Sequence, residues 1–432
     1  MKQPAADLKD RDSMYKLIIG QLFYDGYREV ALMARSQRTL NAEADVAFPP
    51  ASTPTPIGKQ LTEATESKEK VGGMPTEAPS SGLDLEYDAD IAPSTPEPAM
   101  YETIYLTAHK NACRAACFSP DGTLIATGSA DCSIKVMDVE RIIARETGPP
   151  ELAGPGLSDP DIHHPVIRTL YDHLDEVTCM AFHPRDQILA SGGKDFTLKF
   201  FDFSKTAVKR ACRTVHEVEP LSSLSFHPSG AYILVGTQHP TVRLYDVHTS
   251  ECYVSCNPAD QHLKPITDVN YSESGRLYVS ASMDGDVKIW DGVSNRCIET
   301  FSRAHDGHEV SSATFTRNGK YVLTAGRDSW VKLWELTTNR CLIAYTGAGA
   351  TGAQEVHLPA SFNHTEDYVM LPDEKSGSLC SWDARNADRK RLLALGHTAP
   401  VRTFVHSPTQ PAFVTGSDDF RARFWYKKMN VE

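Results

Sequence analysis

One internal repeat constrains this chain more than any other feature. Seven times between residues 128 and 426 a β-rich run ends in Gly/Ser-x-Asp or a variant of it, an apolar strand follows, and the copy closes on Trp-Asp or a near equivalent. The clearest copies lead from Ser282-Met283-Asp284 to Ile289-Trp290-Asp291 and from Gly326-Arg327-Asp328 to Leu333-Trp334-Glu335. The aspartate-equivalent positions are Asp131, Asp195, His239, Asp284, Asp328, Ser376 and Asp419; the first step is 64 residues and the others 43 to 48. A repeat of this length cannot bury its own apolar faces, so copies must stack on one another.

A period of about 40–45 residues with four strand-like segments per copy specifies a WD-repeat β-propeller. In one copy, residues 177–183, 188–191, 198–202 and 208–215 read as the four strands, with Pro184-Arg185-Asp186 as a turn. The last copy supplies strands at 401–406, 412–416 and 422–426, and only six residues remain after it. Residues 102–107 form a strand with no blade before it. We expect them to complete the seventh blade from outside, which removes two open sheet edges. The expected fold is all-β: a seven-bladed WD40 propeller over 100–432, preceded by a helical dimerisation motif at 1–40 and a flexible linker at 41–99.

The repeat assigns most of the chemistry-bearing residues to scaffold. In such a blade the turn aspartate binds backbone amides and a His or Ser/Thr hydroxyl. Asp131, Asp195, Asp284, Asp328 and Asp419 fit that role, with His109, His173, His305 or His308, and His397 as partners. Trp290, Trp334, Trp382 and Trp425 close their copies. Blade three has His239 and blade six Ser376 in the aspartate position, and these two blades are expected to rely on packing alone. The first long step reads as a loop at 147–164 between the third and fourth strands of blade one.

Catalytic motifs are missing. Gly192-Gly193-Lys194 lacks the upstream glycine of a phosphate loop, and there is neither a Gly-x-Ser-x-Gly elbow nor His-Glu-x-x-His. No cofactor or metal is expected, and the chain reads as a non-enzyme. Cys252, Cys297 and Cys341 recur at steps of 45 and 44, marking outer strands; buried reduced thiols are the expectation. Binding remains. Residues beside the turn aspartates face one side of the ring: Ala130, Lys194, Gln238, Met283, Arg327 and Asp418, with Trp330 nearby. Arg and Trp are enriched at interface hot spots. Net charge is −12, shared equally between residues 1–100 and the rest, so no segment has the basic excess of a primary nucleic-acid binder. Arg385, Arg389, Lys390 and Arg391 make only a local basic run. No apolar run is long enough for a membrane span, and no signal peptide is apparent.

Residues 7–35 read as two short helices. Met14, Leu17, Ile18 and Leu22 share one face, Tyr24-Asp25-Gly26-Tyr27 makes a turn, and Val30, Ala31 and Ala34 continue the apolar surface. So small a pair has too little core to stand alone, and an isologous dimer would cover both faces. Its layout resembles the LisH dimerisation motif. Residues 36–99 hold nine of the 27 prolines and read as a linker. Its one mixed acidic and apolar island, 83–91, is either a docking segment or a solvated tail.

Several strings go beyond the generic repeat. They are Tyr15-Lys16-Leu17-Ile18-Ile19, Val166-Ile167-Arg168-Thr169-Leu170-Tyr171-Asp172-His173, Val235-Gly236-Thr237-Gln238-His239-Pro240-Thr241, Trp290-Asp291-Gly292-Val293-Ser294-Asn295-Arg296-Cys297 and Ser417-Asp418-Asp419-Phe420-Arg421-Ala422-Arg423-Phe424-Trp425-Tyr426. In these the chain resembles the WD-repeat subunit (subunit 1) of cleavage stimulation factor, which acts in pre-mRNA 3′-end cleavage and polyadenylation. The resemblance implies a nuclear scaffold that homodimerises and binds the complex's bridging subunit. Through that subunit it would hold the RNA-binding subunit, touching RNA only indirectly; other 3′-end processing or transcription factors are further expected partners. Residues 36–80 and 141–164 depart from the family. Two other readings compete. Trp382-Asp383-Ala384-Arg385 matches the WDxR box of substrate receptors of cullin-type ubiquitin ligases, and a LisH motif before a propeller also occurs in dynein-regulating adaptors, although the linker here has no heptads.

Overall fold

The computed structural model describes residues 82–85, 93–147, 164–204, 209–348, 354–374 and 376–427. The chain divides into two units, Met1–Glu77 and Ala78–Glu432. The expected dimerisation residues Met14, Leu17, Ile18, Leu22, Tyr24 and Tyr27 lie outside the described residues.

Seven four-stranded antiparallel sheets build the second unit. Six are simple meanders in chain order. The seventh combines Val401–His406, Ala412–Ser417 and Arg421–Tyr426 with Glu102–Ala108 from the far end of the sequence. Glu102 pairs with Tyr426 and Ala108 with Arg421, so the ring closes through a shared blade as the sequence implies. The second strands lie in the middle of their sheets and are covered on both faces: Tyr321–Gly326 is buried throughout. Outer strands such as Cys252–Val254 face solvent. Cys252 and Cys341 are accordingly exposed and Cys297 half-buried, which corrects the expectation of buried thiols. In blade two the fourth strand is Arg213–His216, starting later than expected.

In six blades the first strand carries a register shift at its second residue. The residues at these bulges are Arg114, Thr178, Ser222, Thr267, Ser311 and Arg402. A bulge re-aims a side chain out of the pleat, and all six line the central cavity, which has a volume of about 810 Å³. Three of them staple neighbouring blades. Thr178 donates to the carbonyl of Leu221, Ser222 to that of Ile266 and Thr267 to that of Val310, each at 2.7 Å. The series stops at Ser311, whose buried hydroxyl has no hydrogen-bond partner. The next blade begins with the two-residue strand Ser361–Phe362.

In blade one a helix not anticipated from the sequence, Val139–Thr147, follows the third strand directly; the loop expected at 147–164 lies, but for its end residues, outside the described residues. Val139 and Ile142 are buried among Ile125, Met137 and Phe424.

Part of the Pro-rich segment is anchored on the ring. Leu83 is buried with Tyr321, Leu358 and Trp382. Its amide donates to Glu366 Oε2 at 2.7 Å, and its carbonyl accepts from Asn318 Nδ2 at 2.5 Å. Gly82 is required beside it: φ is +81°, and a Cβ would lie 2.9 Å from Glu366 Oε2. Burying one leucine contributes roughly 1.5–3 kcal/mol, enough to hold a short segment with these polar contacts. Further along, Ser94 and Thr95 bond Asp367, and Tyr101 stacks on Phe413.

Candidate functional site

The turn aspartates do hold histidines. His173, His262, His305 and His397 place Nδ1 at 2.9, 3.0, 3.1 and 2.9 Å from Asp195, Asp284, Asp328 and Asp419. His109 stands 3.5 Å from Asp131. On the far side each Nε2 meets a strand hydroxyl: Thr127, Ser191, Ser280, Thr324 or Thr415. In blades four, five and seven the same hydroxyl oxygen accepts from the indole of Trp290, Trp334 or Trp425 at 2.8 to 3.1 Å. The relay from indole to hydroxyl to imidazole to carboxylate satisfies every member, so a buried polar chain stabilises each blade. His262 was missed from sequence, and His308, offered as an alternative to His305, is exposed.

Protonation follows the burial. Burial opposes the Asp284 charge, but the hydrogen bond from His262, its positive field and two amides outweigh this and bring the carboxyl down to about 2. Asp131, Asp195 and Asp419 shift the same way: their hydrogen bonds override burial. Burial pushes His109 down to about 4 even with Asp131 beside it. These groups are locked in place, with no free nucleophile or base among them.

Turn geometry explains why blade three has lost the network. The residue after the aspartate position has positive φ at Cys132, Phe196, Gly285, Ser329, Gly377 and Phe420. Blade three has Pro240 there, and proline fixes φ near −65°, so that turn cannot form. Contrary to expectation, blade three does not rely on packing alone. Glu217 occupies the histidine position, accepts from Tyr245 Oη and pairs with Arg243. Blade six also has polar contacts. Ser376 donates to Asp373, and the Trp382 indole donates to the Thr346 carbonyl at 2.9 Å.

The expected binding residues separate into two groups. Lys194, Gln238 and Met283 line the central cavity. Arg327 and Asp418 belong to ion pairs around it, and Trp330 is 43% exposed with Lys332 Nζ 5.8 Å from its ring centre. One chain of charges joins Lys194, Glu176, Arg114, Asp418, Arg402 and Glu374, with contacts from 2.5 to 3.9 Å. On the opposite flank Arg327 bonds Glu309 at 2.7 Å. Arg114, Glu176, Arg402 and Glu309 were not singled out from sequence; the bulged position at the start of each inner strand would have found Arg114 and Arg402. Apolar knobs stand on the same side, where Leu174, Val218 and Leu263 directly follow His173, Glu217 and His262 and are 87%, 78% and 85% exposed.

The WDxR tetrapeptide is not presented as a docking box. Trp382 and Ala384 are fully buried, and the Arg385 side chain, 9% exposed, is held by Asp367 at 2.9 Å. Asn363, of the sequon-like Asn363-His364-Thr365, is likewise buried and bonded to Thr95 and Thr365. No cluster of three metal-binding side chains occurs among the described residues, and no described helix is long and apolar enough to cross a membrane.

Known proteins share both parts of the chain. Residues 6–53 match the family model for the dimerisation domain of cleavage stimulation factor subunit 1. Six segments within 101–426 match the WD domain, G-beta repeat; none covers 336–388, which holds most of blade six. The chain is 40% identical over 326 residues to cleavage stimulation factor subunit 50 of Arabidopsis thaliana, covering 75% of this chain and 73% of the relative. Over 210 residues it is 28% identical to pre-mRNA-processing factor 19 of Oryza sativa, covering 49% and 36%. Over 370 residues it is 24% identical to nuclear distribution protein PAC1 of Arthroderma benhamiae, covering 70% and 77%. With a seven-bladed ring and this identity over three quarters of its length, the chain belongs to the WD-repeat subunit 1 family of cleavage stimulation factor, of pre-mRNA 3′-end processing.

Proposed function

We propose that this protein is a non-catalytic nuclear scaffold of the cleavage stimulation factor complex. It dimerises through its N-terminal segment and binds the complex's bridging subunit with its ring. RNA is read by another subunit, reached through the bridging one. Dimerisation then places two RNA readers on one transcript, and avidity rises through effective concentration without new base contacts.

The observation that carries this reading is the charge pairing around the central cavity. Arg114, Lys194, Arg327 and Arg402 each meet a carboxylate. A surface that reads RNA needs cations free to displace counterions from phosphate. Here the cations are matched by acids of their own or adjoining blades, while Leu174, Val218, Leu263 and Trp330 supply apolar contact. That mixture suits a protein partner.

The test is depletion of the protein from nuclear extract of its source, followed by add-back. The expected result is loss of 3′-end cleavage and recovery on adding the full chain. A variant with Leu174→Asp, Val218→Asp and Leu263→Asp should fold but restore little cleavage. Undiminished cleavage after depletion would contradict the reading.

A further inference from the structure

We propose that Thr95 is a phosphoacceptor site for a proline-directed protein kinase, and that phosphate there releases residues 93–97 from blade six. The sequence supplies the recognition element, since Thr95 is followed by Pro96. Pro93, Pro96 and Pro98 keep the surrounding backbone out of regular structure up to the short turn Pro98–Met100. A kinase binds its acceptor in an irregular or extended segment of this kind.

The structure supplies the consequence. One oxygen of Asp367 anchors the segment: Oδ2 accepts from the Ser94 amide at 3.0 Å and the Ser94 hydroxyl at 2.8 Å. The Thr95 hydroxyl lies 3.3 Å from the same oxygen and accepts from Asn363 Nδ2 at 2.8 Å. The other oxygen, Oδ1, is held by Arg385. Arg317 is engaged as well, with Nη2 donating to the carbonyls of His364 and Pro408. A phosphoryl group on Thr95 Oγ1 would bring about two negative charges against the Asp367 carboxylate, whose Oδ1 already holds Arg385 Nη1. Placed next to an acid, a phosphate disrupts the contact by repulsion.

In the transfer, Thr95 Oγ1 attacks the γ-phosphorus of ATP. The new P–O ester forms as the bond to the β,γ-bridging oxygen breaks. ADP leaves, and the hydroxyl proton passes to the kinase's carboxylate base. Because Thr95 is partly buried and bonded, transfer takes place in the transiently detached segment, and the phosphate then prevents it from redocking.

The experiment uses the full chain with Mg-ATP and a proline-directed kinase selected for activity on Thr53-Pro54 or Thr55-Pro56 of the same chain, which report that the enzyme is working. Phosphopeptide mapping should place phosphate on Thr95, and Pro96→Ala should abolish it. Hydrogen exchange of peptides spanning 93–97 and 365–368 should then accelerate about tenfold or more in the modified protein. Thr95→Val removes the hydroxyl without adding charge and should accelerate exchange far less. Modification confined to the other two sites, unchanged exchange in the phosphorylated chain, or equal release by Thr95→Val would each overturn the proposal.

Discussion

The Tyr245 hydroxyl donates to Glu217 Oε1 at 2.5 Å, while Arg243 pairs with the other oxygen of the same buried carboxylate. Blade three has thus replaced the His–Asp pair of its neighbours by a buried acid held between a phenol and a guanidinium. Removing the acid strands a largely buried cation, which costs about 3–5 kcal/mol. Glu217→Ala should therefore lower unfolding free energy by about 3 kcal/mol in urea, whereas Tyr245→Phe should cost about 1 kcal/mol. Equal, small effects would mean that packing alone holds this blade.

The relay in blade four should behave as a unit. Asp284→Asn exchanges the charged acceptor of His262 Nδ1 and of the Leu263 and Asp286 amides for a neutral amide. Its expected cost is about 2–3 kcal/mol. His239→Ala, at the corresponding turn of blade three, touches only the Thr241 amide through its side chain and should stay within about 0.5 kcal/mol. Urea melts of both variants test the contrast.

Stability should fall with acid in a window set by buried histidines. Burial, with His364 adding to it, lowers His406 to about 3, and burial lowers His109 to about 4, against 6.5 for the free side chain. Between those values the unfolded chain binds more protons than the folded one, so unfolding is favoured as pH drops from 6.5 towards 4. The Asp284 contribution acts lower: it is present above 3.8 and lost as pH falls towards 2. Melting temperature should thus decline on acidification before carboxylates titrate. His406→Phe, in a pocket formed with Tyr101 and Phe413, should flatten that decline; an unchanged slope would count against it.

Leu83 should prove to be the anchor of its segment. Leu83→Ala leaves a hole beside Tyr321 and Trp382 and should cost about 2–4 kcal/mol of local docking. Limited proteolysis should then cut near residues 78–92 faster, while the melting of the ring changes little. Coupled loss of both would show that the segment is part of the ring's core.

Much of this molecule was legible in the sequence because the repeat works as a ruler. The distance of 22 residues that joins His109 to Asp131, His173 to Asp195 and His397 to Asp419 also joins His262 to Asp284, and it could have found that pair. The same distance joins Glu217 to His239, an acid and a histidine exchanged in position. What replaced the lost pair was not legible: the Arg243 and Tyr245 contacts depend on side chains meeting across strands. The docking of Leu83 escaped for another reason. A single leucine in a polar segment has no periodicity, and its burial depends on a left-handed Gly82 and on Glu366 almost 300 residues away. Strand alternation alone also passes over the paired cations, because bulges turn Arg114 and Arg402 towards the cavity; only their repeated position at the start of the inner strand marks them.

Native mass spectrometry of the complex purified on the tagged full-length protein tests the central claim most directly. The account predicts two copies of this chain in one assembly with a bridging subunit and an RNA-recognition subunit, and a single copy after Leu17→Asp with Leu22→Asp. A single copy from the unaltered chain, or co-purification with a ubiquitin-ligase adaptor in place of those subunits, would contradict it.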